Sequence, residues 1–305
     1  MIHLSVVIPT YNRPLLLKRS IKSVLKQVHH ERFFLEIIVV DDGSYMPVDL
    51  AAFEGENIRY LRLKQNSGPQ VARNKGIEMA EGDWIVMLDD DDELLPDTLE
   101  NAIHKIRSLE RHEHFPVFFF ATTNGRIPTP FAWISTEDFL NRTLKGDFTP
   151  VIQRKVFSEK GFAYRDYPEI LGVGCELLTW LEISQSVPIP TFRNTLIKVN
   201  EDAPLRLSSY DNFIRNSGKF ALQQDITIDF LKSRRLDITS PWFTYKKFLG
   251  AATYYLLSGE RAVCRERLKY ADGFRVMKWV IHTLSFMPIP LSRFLFRYYK
   301  LRISN

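Results

Sequence analysis

The stretch Trp84–Asp97, WIVMLDDDDELLPD, joins a short apolar run to four consecutive aspartates at positions 89–92. The apolar run predicts a buried β-strand. Four adjacent carboxylates repel one another, so a buried strand that ends in them needs a physical reason. Because alternate side chains of an extended backbone share a face, we expect Asp89 and Asp91 to face one site and Asp90 to point away.

Strand and helix signals alternate around this stretch over residues 1–123. Short apolar runs predict the strands, and apolar residues at helical spacing predict the helices between them. This βαβ rhythm predicts an α/β fold with a mostly parallel sheet flanked by helices. The predicted strands are Leu4–Ile8, Leu35–Val40, Ile58–Leu63, Trp84–Leu88 and Val117–Ala121, and the predicted helices begin at Pro14, Gln70 and Pro96.

Polar side chains follow three of the predicted strands. Thr10 and Tyr11 follow the first strand, and Asp41 and Asp42 follow the second. Ligands of parallel sheets bind beyond the carboxyl ends of the strands, so we expect these residues to meet the aspartate run at one edge. Each cluster also has an ordinary interpretation, since Asp and Gly form turns and a lone aromatic residue often belongs to a core.

A bound cation would stabilise the aspartate run. Two carboxylates that face one site are unfavourable unless a cation lies between them. Hard oxygen ligands suit Mg²⁺ or Mn²⁺, and Mg²⁺ usually completes its shell with substrate phosphates. The alternative is a solvated loop before the helix at Pro96, where negative charge is favourable. The second acidic pair, Asp41 and Asp42, favours the cation site.

Four segments of the chain resemble the motifs of the family 2 glycosyltransferases in order and spacing. The resemblance is strong over residues 3–110 and fainter as far as residue 210. It implies a GT-A fold and an inverting transfer from a nucleotide-diphosphate sugar, usually with Mg²⁺ or Mn²⁺. The segments are LSVVIPTYNRPLLLKRSIKSVL at 4–25, LEIIVVDDGS at 35–44, NSGPQVARNKGIEMAEGDWIVMLDDDDELLPDTLE at 66–100 and ELLTWLEI at 176–183.

The resemblance also implies roles for individual residues. Asp89 and Asp91 resemble the Asp-x-Asp motif, with Asp91 as the direct metal ligand and Asp89 as the second, nearer the ribose or sugar. Asp92 completes the acidic motif. Asp42, with Asp41 as the lesser candidate, contacts the base or ribose, while Thr10 and Tyr11 line the base pocket. The nucleotide-sugar-binding residues implied are Thr10, Tyr11, Asp41, Asp42, Arg73, Asp89 and Asp90.

An inverting transfer needs a general base for the acceptor hydroxyl. In the family this is an Asp after a Glu, four residues before a Trp. Counting back from Trp180 gives Glu176, preceded by Cys175 where the family has Glu. We predict Glu176 as the catalytic base, with Asp166 and Glu169 as alternatives. A Glu in the first turn of a helix is the ordinary interpretation.

A second departure from the family lies downstream. Many members carry a His that approaches the diphosphate, and Asn200 lies at about that place here. Arg206 is an alternative source of positive charge.

The charge of the chain is unevenly distributed. Residues 206–305 carry 18 Lys and Arg against 7 Asp and Glu, a net +11, whereas residues 1–205 carry 23 against 29, a net −6. We predict a GT-A domain at 1–210, and a helical, basic and aromatic extension at 211–305. Within the domain, 1–123 would bind the nucleotide sugar and 124–210 would form the acceptor side.

The segment 274–302 interleaves aromatic residues with Arg and Lys. This composition is typical of an interfacial segment on an anionic membrane. The alternative is a packed helix pair whose basic residues face water. Nucleic acid is not expected as a partner, because no recognition motif accompanies the basic residues.

The sequence therefore predicts an inverting, metal-dependent glycosyltransferase that acts on a cell-surface glycan or lipid-linked glycan, such as lipopolysaccharide, an O-antigen or a capsule unit. A nucleotidyltransferase is disfavoured because IPTYNRP, at 8–14, lacks the glycine of a phosphate loop. A non-catalytic GT-A scaffold is the other alternative. The N-terminus lacks the features of a signal peptide and no apolar run reaches about 18 residues, so we expect a cytoplasmic protein that is peripheral at the inner membrane face.

Overall fold

The computed structural model describes residues 2–27, 33–202 and 210–303. The chain divides into two compact units. The α/β unit comprises Met1–Asp166 and Thr179–Ala203, and the helical unit comprises Tyr167–Leu178 and Pro204–Asn305. The domain boundaries at residues 123 and 210 stay predictions.

The described residues of the α/β unit form one sheet of nine strands. The order is β3-β2-β1-β4-β8-β6-β9-β5, with β7 paired to β9. The first four strands in this order are parallel to one another, and β8 is antiparallel to β4 and β6. The strands are β1 Ile2–Thr10, β2 Phe33–Asp41, β3 Ile58–Arg62, β4 Trp84–Met87, β5 Glu93–Leu94, β6 Val117–Thr122, β7 Phe131–Ile134, β8 Phe148–Gln153 and β9 Ile189–Lys198.

Both faces of this sheet are buried, because successive side chains of each strand enter opposite cores. On β1, Leu4, Val6 and Ile8 belong to one apolar cluster, whereas Val7 belongs to the other. Residues of β2 and β4 divide in the same way. The mostly parallel sheet with flanking helices confirms the predicted fold class.

Helices cover the two faces. Apolar residues of α1 and α3 enter the first cluster, whereas Ala72 and Ala80 in and after α2 enter the second. Gly76 permits the close approach of α2 to β1, because a Cβ there would lie 2.2 Å from a methyl group of Val7. The helices are α1 Pro14–Leu25, α2 Pro69–Met79, α3 Thr98–Arg107, α4 Thr136–Asn141, α5 Arg154–Glu159 and α6 Glu176–Ser186, and α6 begins within the range of the helical unit.

One predicted helix boundary is wrong by two residues. Pro96 does not open α3; it lies in a turn, and α3 begins at Thr98. The first N–H groups of α3 are capped from elsewhere, since Gln27 Oε1 accepts hydrogen bonds from Thr98 N at 3.1 Å and Leu99 N at 3.4 Å. A distant side chain therefore sets the helix start, and the local proline does not.

The helical unit confirms the predicted C-terminal helices. Small residues at Ala221, Ala251 and Ala252 let α8 and α10 pack closely. Asp225 anchors this core, because its carboxylate accepts Arg267 Nε at 2.8 Å, Arg267 Nη2 at 3.0 Å and the Tyr255 hydroxyl at 2.7 Å. Among the described residues, no helix is long and apolar enough to cross a membrane. The helices are α7 Tyr210–Arg215, α8 Ser217–Ser233, α9 Leu236–Thr239, α10 Pro241–Ser258, α11 Arg261–Lys269, α12 Arg275–Leu284 and α13 Ile289–Ile303.

Candidate active site

The carboxyl ends of β1 and β2 are tied together by hydrogen bonds. Thr10 lies opposite Asp41 in the parallel register, and Asp42 N donates to the Thr10 carbonyl at 2.8 Å. Beyond the strands, Asn12 N donates to Ser44 Oγ at 2.8 Å. The two loops after these strands therefore form one structure.

A glycine makes the second loop possible. Gly43 has a φ of +73°, a conformation that glycine adopts without strain. A Cβ at this position would also lie 2.5 Å from the Gln65 backbone. The Asp-Asp-Gly-Ser motif is thus a tight turn that presents its two aspartates at the edge of the sheet.

Both aspartates of this turn are buried and hydrogen-bonded. Asp41 accepts the Tyr60 hydroxyl at 2.9 Å, and Asp42 accepts the backbone N–H groups of Ser67 at 2.7 Å and Gly68 at 2.8 Å. Burial raises the pKa of Asp42 although these two N–H groups lower it. A carboxylate oxygen can accept a second hydrogen bond, but the Asp41 side chain is fully buried and also accepts the Ser44 N–H at 2.8 Å.

Tyr11 lies at the mouth of these loops. Its side chain is half-buried, and its ring centroid is 6.3 Å from that of Tyr45, which is exposed. Tyr11 is therefore outside the buried core. Two aromatic rings stand beside the Asp41 turn, and an aromatic face of this kind can stack on a base.

The four aspartates lie in a turn and not on an extended strand. β4 ends at Met87, and Asp92 N donates to the Asp89 carbonyl at 3.1 Å. The alternation of side chains along a strand therefore does not decide which of these acids face one site. The turn brings carboxylate oxygens of Asp89, Asp91 and Asp92 within 4.8 Å of one another, whereas Asp90 is only 5% exposed.

Asp90 connects the aspartate turn to the end of β1. Its carboxylate accepts the Thr10 hydroxyl at 2.7 Å and Arg13 Nη1 at 3.1 Å. The same Arg13 nitrogen lies 3.1 Å from Asp91 Oδ2. Burial raises the pKa of Asp90 to about 6, although Arg13 and Thr10 lower it. In this structure Thr10 and Asp90 bind each other, and their roles with a nucleotide stay predictions.

Further arginines surround the acids. Arg73 Nη2 donates to Asp89 Oδ1 at 2.8 Å, and its guanidinium lies 5.5 Å from the centre of the Tyr164 ring. Arg19 Nη2 donates to the Asp91 carbonyl at 2.8 Å. Guanidinium groups are the preferred partners of phosphate oxygens, so the edge holds donors for an anion beside ligands for a cation.

Asp92 has a raised pKa. Burial, together with the charges of Asp89 and Asp91, raises the pKa of Asp92 to about 7, although the Asn200 N–H, at 3.1 Å, lowers it. A half-buried carboxylate beside two others is stabilised by a hard cation, and Mg²⁺ and Mn²⁺ take such oxygen ligands. The donor set of this turn therefore fits a divalent cation.

Asn200 lies against the acidic turn. Its Nδ2 donates to the Asp91 carbonyl at 3.0 Å and to Glu93 Oε1 at 3.1 Å. Asn200 thus orders the backbone that carries the acids. The other residue considered at this place, Arg206, lies outside the described residues.

Glu176 begins α6 and is half-buried in the helical unit. Its carboxylate lies over Gly174, where a Cβ would be 2.6 Å from Glu176 Oε2. The Gly174 carbonyl accepts a hydrogen bond from Gln223 Nε2. The missing side chain at Gly174 therefore makes room for the Glu176 carboxylate.

The two alternative bases are exposed. Asp166 belongs to the α/β unit, where its charge contributes to the raised pKa of Asp42. Glu169 lies in a short 3-10 turn, Pro168–Ile170, of the helical unit. The choice among Glu176, Asp166 and Glu169 stays a prediction.

Sequence reasoning missed two arginines at the acidic turn: Arg13, which pairs with the carboxylates of Asp90 and Asp91, and Arg19, which donates to the Asp91 carbonyl. Arg13 stands next to the Thr10-Tyr11-Asn12 motif, and that position was the only available signal. Its partner Asp90 is 77 residues away, so no local spacing encodes the pair.

The family model for glycosyl transferase family 2 matches residues 5–153, which include the strand-end loops and the acidic turn. Residues 5–153 therefore belong to this family, as the resemblance of their motifs predicted.

Two curated relatives come from bacterial glycan pathways. The GalNAc(5)-diNAcBac-PP-undecaprenol β-1,3-glucosyltransferase of Campylobacter jejuni is 32% identical over 194 residues, which cover 59% of this chain and 59% of the relative. The succinoglycan biosynthesis protein ExoO of Rhizobium meliloti is 40% identical over 101 residues, which cover 32% of this chain and 28% of the relative. The chain thus matches less than two thirds of the length of either relative.

A solved structure supports the fold. S. aureus TarS 1–349 in complex with UDP-GlcNAc aligns with a TM-score of 0.56 at 17% identity, over 90% of this chain and 91% of that chain. At this identity the likeness shows the fold, which is GT-A.

Proposed function

We propose that the protein is an inverting glycosyltransferase that moves a sugar from a nucleotide-diphosphate donor to a hydroxyl of a cell-surface glycan. The acceptor would be lipopolysaccharide, an O-antigen, a capsule unit or a lipid-linked precursor. The observation that carries the proposal is the cluster of Asp89, Asp91 and Asp92 at the carboxyl edge of a family 2 domain. The Campylobacter relative is named for a diphospho-undecaprenol glycan, and this name supports a lipid-linked glycan as the acceptor.

Asp91, with Asp89 and Asp92, would hold Mg²⁺ or Mn²⁺. When bound, the cation neutralises the charge that develops on the diphosphate leaving group. Arg13 pairs with Asp91 and Arg73 with Asp89 in this structure, and both would offer guanidinium donors to the phosphate oxygens of the nucleotide sugar.

The loops after β1 and β2 would hold the nucleoside. Asp42, or Asp41 as the lesser candidate, would accept hydrogen bonds from the base or ribose. Tyr11 would stack on the base, with Thr10 at the wall of the same pocket. The exposed Tyr45 ring beside Tyr11 supports an aromatic clamp at this edge.

Glu176 would take the proton of the acceptor hydroxyl, which then attacks the anomeric carbon from the face opposite the leaving group. This inverts the configuration, so an α-linked donor of a common D-sugar would give a β-glycoside. The position of Glu176 in the family motif and the space left by Gly174 support this assignment. Asp166 and Glu169 are the alternatives.

We further propose that the protein is cytoplasmic and rests on the inner face of the cell membrane through residues 274–302. Large apolar side chains of this segment are exposed: Val276 is 78% exposed, Trp279 69% and Phe294 65%. A contact of this kind would bring the enzyme to a lipid-linked acceptor.

A thermal-shift panel tests the donor and the metal together. UDP-, GDP-, dTDP- and CMP-sugars would be added to the full chain with and without Mn²⁺. We expect one class of diphosphate sugar to raise the unfolding temperature, with a part of the rise that needs Mn²⁺, because a ligand that binds only the folded state stabilises it.

The variant Asp91→Asn should lose the Mn²⁺-dependent part, and Asp97→Asn, an exposed acid outside the cluster, should keep it. No shift with any donor would overturn the enzyme assignment and favour a non-catalytic scaffold. An equal shift with and without Mn²⁺ would overturn the metal assignment alone.

A further inference from the structure

A basic groove of about 830 Å³ lies between α11 and α12 of the helical unit. Its lining contains one acidic residue, Glu266, and two ring-bearing residues, Trp279 and His282. Four cationic side chains line it: Arg265, Lys269, Arg275 and Lys278.

Packing fixes two of these cations. The Arg265 guanidinium lies 5.0 Å from the centre of the Phe286 ring. Lys278 Nζ donates to the Lys269 carbonyl at 3.2 Å and lies 3.5 Å from Asp272. The side chains of Lys269 and Arg275 are exposed. A concave surface with this excess of positive charge attracts anions, and part of it is already ordered.

Exposed apolar side chains flank the groove. Val276, Trp279 and Val280 on α12 face solvent, and so does Phe286 after the helix. A helix on the surface of an ordinary globular domain turns polar residues to water. Clusters of exposed apolar residues mark interaction sites.

α13 carries a second apolar stripe. Leu291, Phe294, Leu295 and Tyr298 are exposed, and their spacing of three, four and seven residues puts them on one face of the helix. Arg297 stands beside this stripe, with its guanidinium 5.5 Å from the centre of the Tyr210 ring.

We infer that the groove binds the phosphate of anionic phospholipid headgroups while the exposed side chains of α12 and α13 enter the membrane interface. Basic residues at headgroup depth beside apolar residues at acyl depth are what an anionic bilayer requires. A nucleic acid or an acidic protein would satisfy the cations but not the apolar stripes. The inference rests on the membrane contact of the proposed function and names the lipid class and the residues that recognise it.

Vesicle cosedimentation of the full chain tests the inference. Vesicles would be made of phosphatidylcholine alone or with phosphatidylglycerol. The groove variant is Lys269→Gln with Arg275→Gln, and both positions are exposed, so folding should be kept. The control is Arg234→Gln with Arg235→Gln, which removes the same charge from exposed residues outside the groove lining. Unfolding temperatures of all variants confirm the fold.

The wild type should bind the phosphatidylglycerol vesicles and bind the neutral ones weakly. The groove variant should lose roughly 10- to 30-fold in partitioning to anionic vesicles, and the control less than about threefold, because each basic residue near the surface contributes. Trp279→Ser with Phe294→Ser should weaken binding to both kinds of vesicle.

Equal partitioning of the groove variant and the control would overturn the inference and leave the membrane contact standing. A wild type that binds neither kind of vesicle would overturn the membrane contact itself. The glycosyltransferase assignment would still be tested separately by the thermal-shift panel of nucleotide sugars. Release of the wild type by inorganic phosphate, more than by chloride of equal ionic strength, would support recognition of the headgroup phosphate. Equal release by the two salts would show charge attraction without a phosphate site and overturn the inference.

Discussion

The α/β unit and the helical unit collect charge of opposite sign. The first gathers acids at one sheet edge and pairs them with half-buried arginines, as at Arg13 and Arg73. The second gathers cations around a groove and leaves aromatic side chains exposed beside it. Residues 1–205 carry a net charge of −6 and residues 206–305 a net charge of +11, and each excess is concentrated in one place. This difference fits the two ligands proposed above, a cation for the first unit and an anionic surface for the second.

The largest expected effect, which tests the cation of the α/β unit, is at Asp91. Asp91→Asn should lower turnover by roughly a thousandfold, because the cation provides several kcal/mol of charge stabilisation in the transition state. Steady-state kinetics over a Mn²⁺ titration measures the effect, with Asp97→Asn as the control. Unchanged turnover would show that the acidic edge has no catalytic cation.

Glu176 tests whether the helical unit also contributes chemistry. Glu176→Gln should lower turnover by about 10²- to 10⁴-fold with donor binding kept, because a general base acts in the transition state. Turnover and donor affinity would be measured in parallel, with Glu169→Gln and Asp166→Asn as matched variants. If the loss followed Asp166→Asn instead, the base would belong to the α/β unit.

Glu36 sharpens the comparison at the opposite end of the sheet. It is buried and accepts the Glu81 N–H at 2.7 Å, the Gly82 N–H at 3.2 Å, the Ser5 hydroxyl and the Arg59 guanidinium. Burial raises its pKa, but these hydrogen bonds outweigh burial and lower it. Glu36→Gln should therefore reduce the free energy of unfolding by about 2–4 kcal/mol, since an amide cannot satisfy the same donors.

The pH dependence gives a check on this effect. A group whose pKa is lower in the folded than in the unfolded state contributes its full stabilisation above the unfolded-state pKa. This contribution is lost as the pH falls through the folded-state pKa. The difference in the free energy of unfolding between the wild type and Glu36→Gln, measured by urea unfolding, should be largest at neutral pH and decrease in acid. Exposed Glu110→Gln is the control, and a gap that is constant with pH would contradict the assignment.

The smallest expected effect concerns Asp92. Burial raises its pKa from 3.8 to about 7, so its ionised form destabilises the metal-free fold and stability is lost as the pH rises between these values. Asp92→Asn keeps an acceptor for Asn200 and should raise the unfolding temperature above pH 7 by about 2–4 °C. The gain should shrink as the pH falls from about 7 and vanish below about pH 3.8, where the Asp92 carboxyl is protonated in both the folded and the unfolded state. A variant less stable than the wild type at alkaline pH in EDTA would contradict this.

Local periodicity predicted most elements of residues 1–123. Leu35–Val40 was predicted and Phe33–Asp41 is observed, because a buried parallel strand is a continuous apolar run. The start of α3 could not be predicted from Pro96, since Gln27 caps the helix from far away along the chain. Where the local sequence signal was weak, tertiary contacts set the boundary of the element.

The candidate site divides in the same way. Its location was predictable, because strand ends meet at one edge and Thr10, Asp42 and the aspartate turn are found there. The inner arrangement was not predictable. Four identical residues give no signal for the turn that separates buried Asp90 from its neighbours. Arg13, which donates to Asp90, is 77 residues away in the sequence.

Arg13 serves the acidic edge as a built-in counter-ion. A bare divalent ion that approaches Asp91 must displace a guanidinium that already balances the charge there. An ion that arrives already bound to a diphosphate brings its own negative charge, and the displaced guanidinium can pair with that charge. The exchange is then nearly neutral, so the edge is better suited to admit metal and nucleotide together than to collect the ion beforehand.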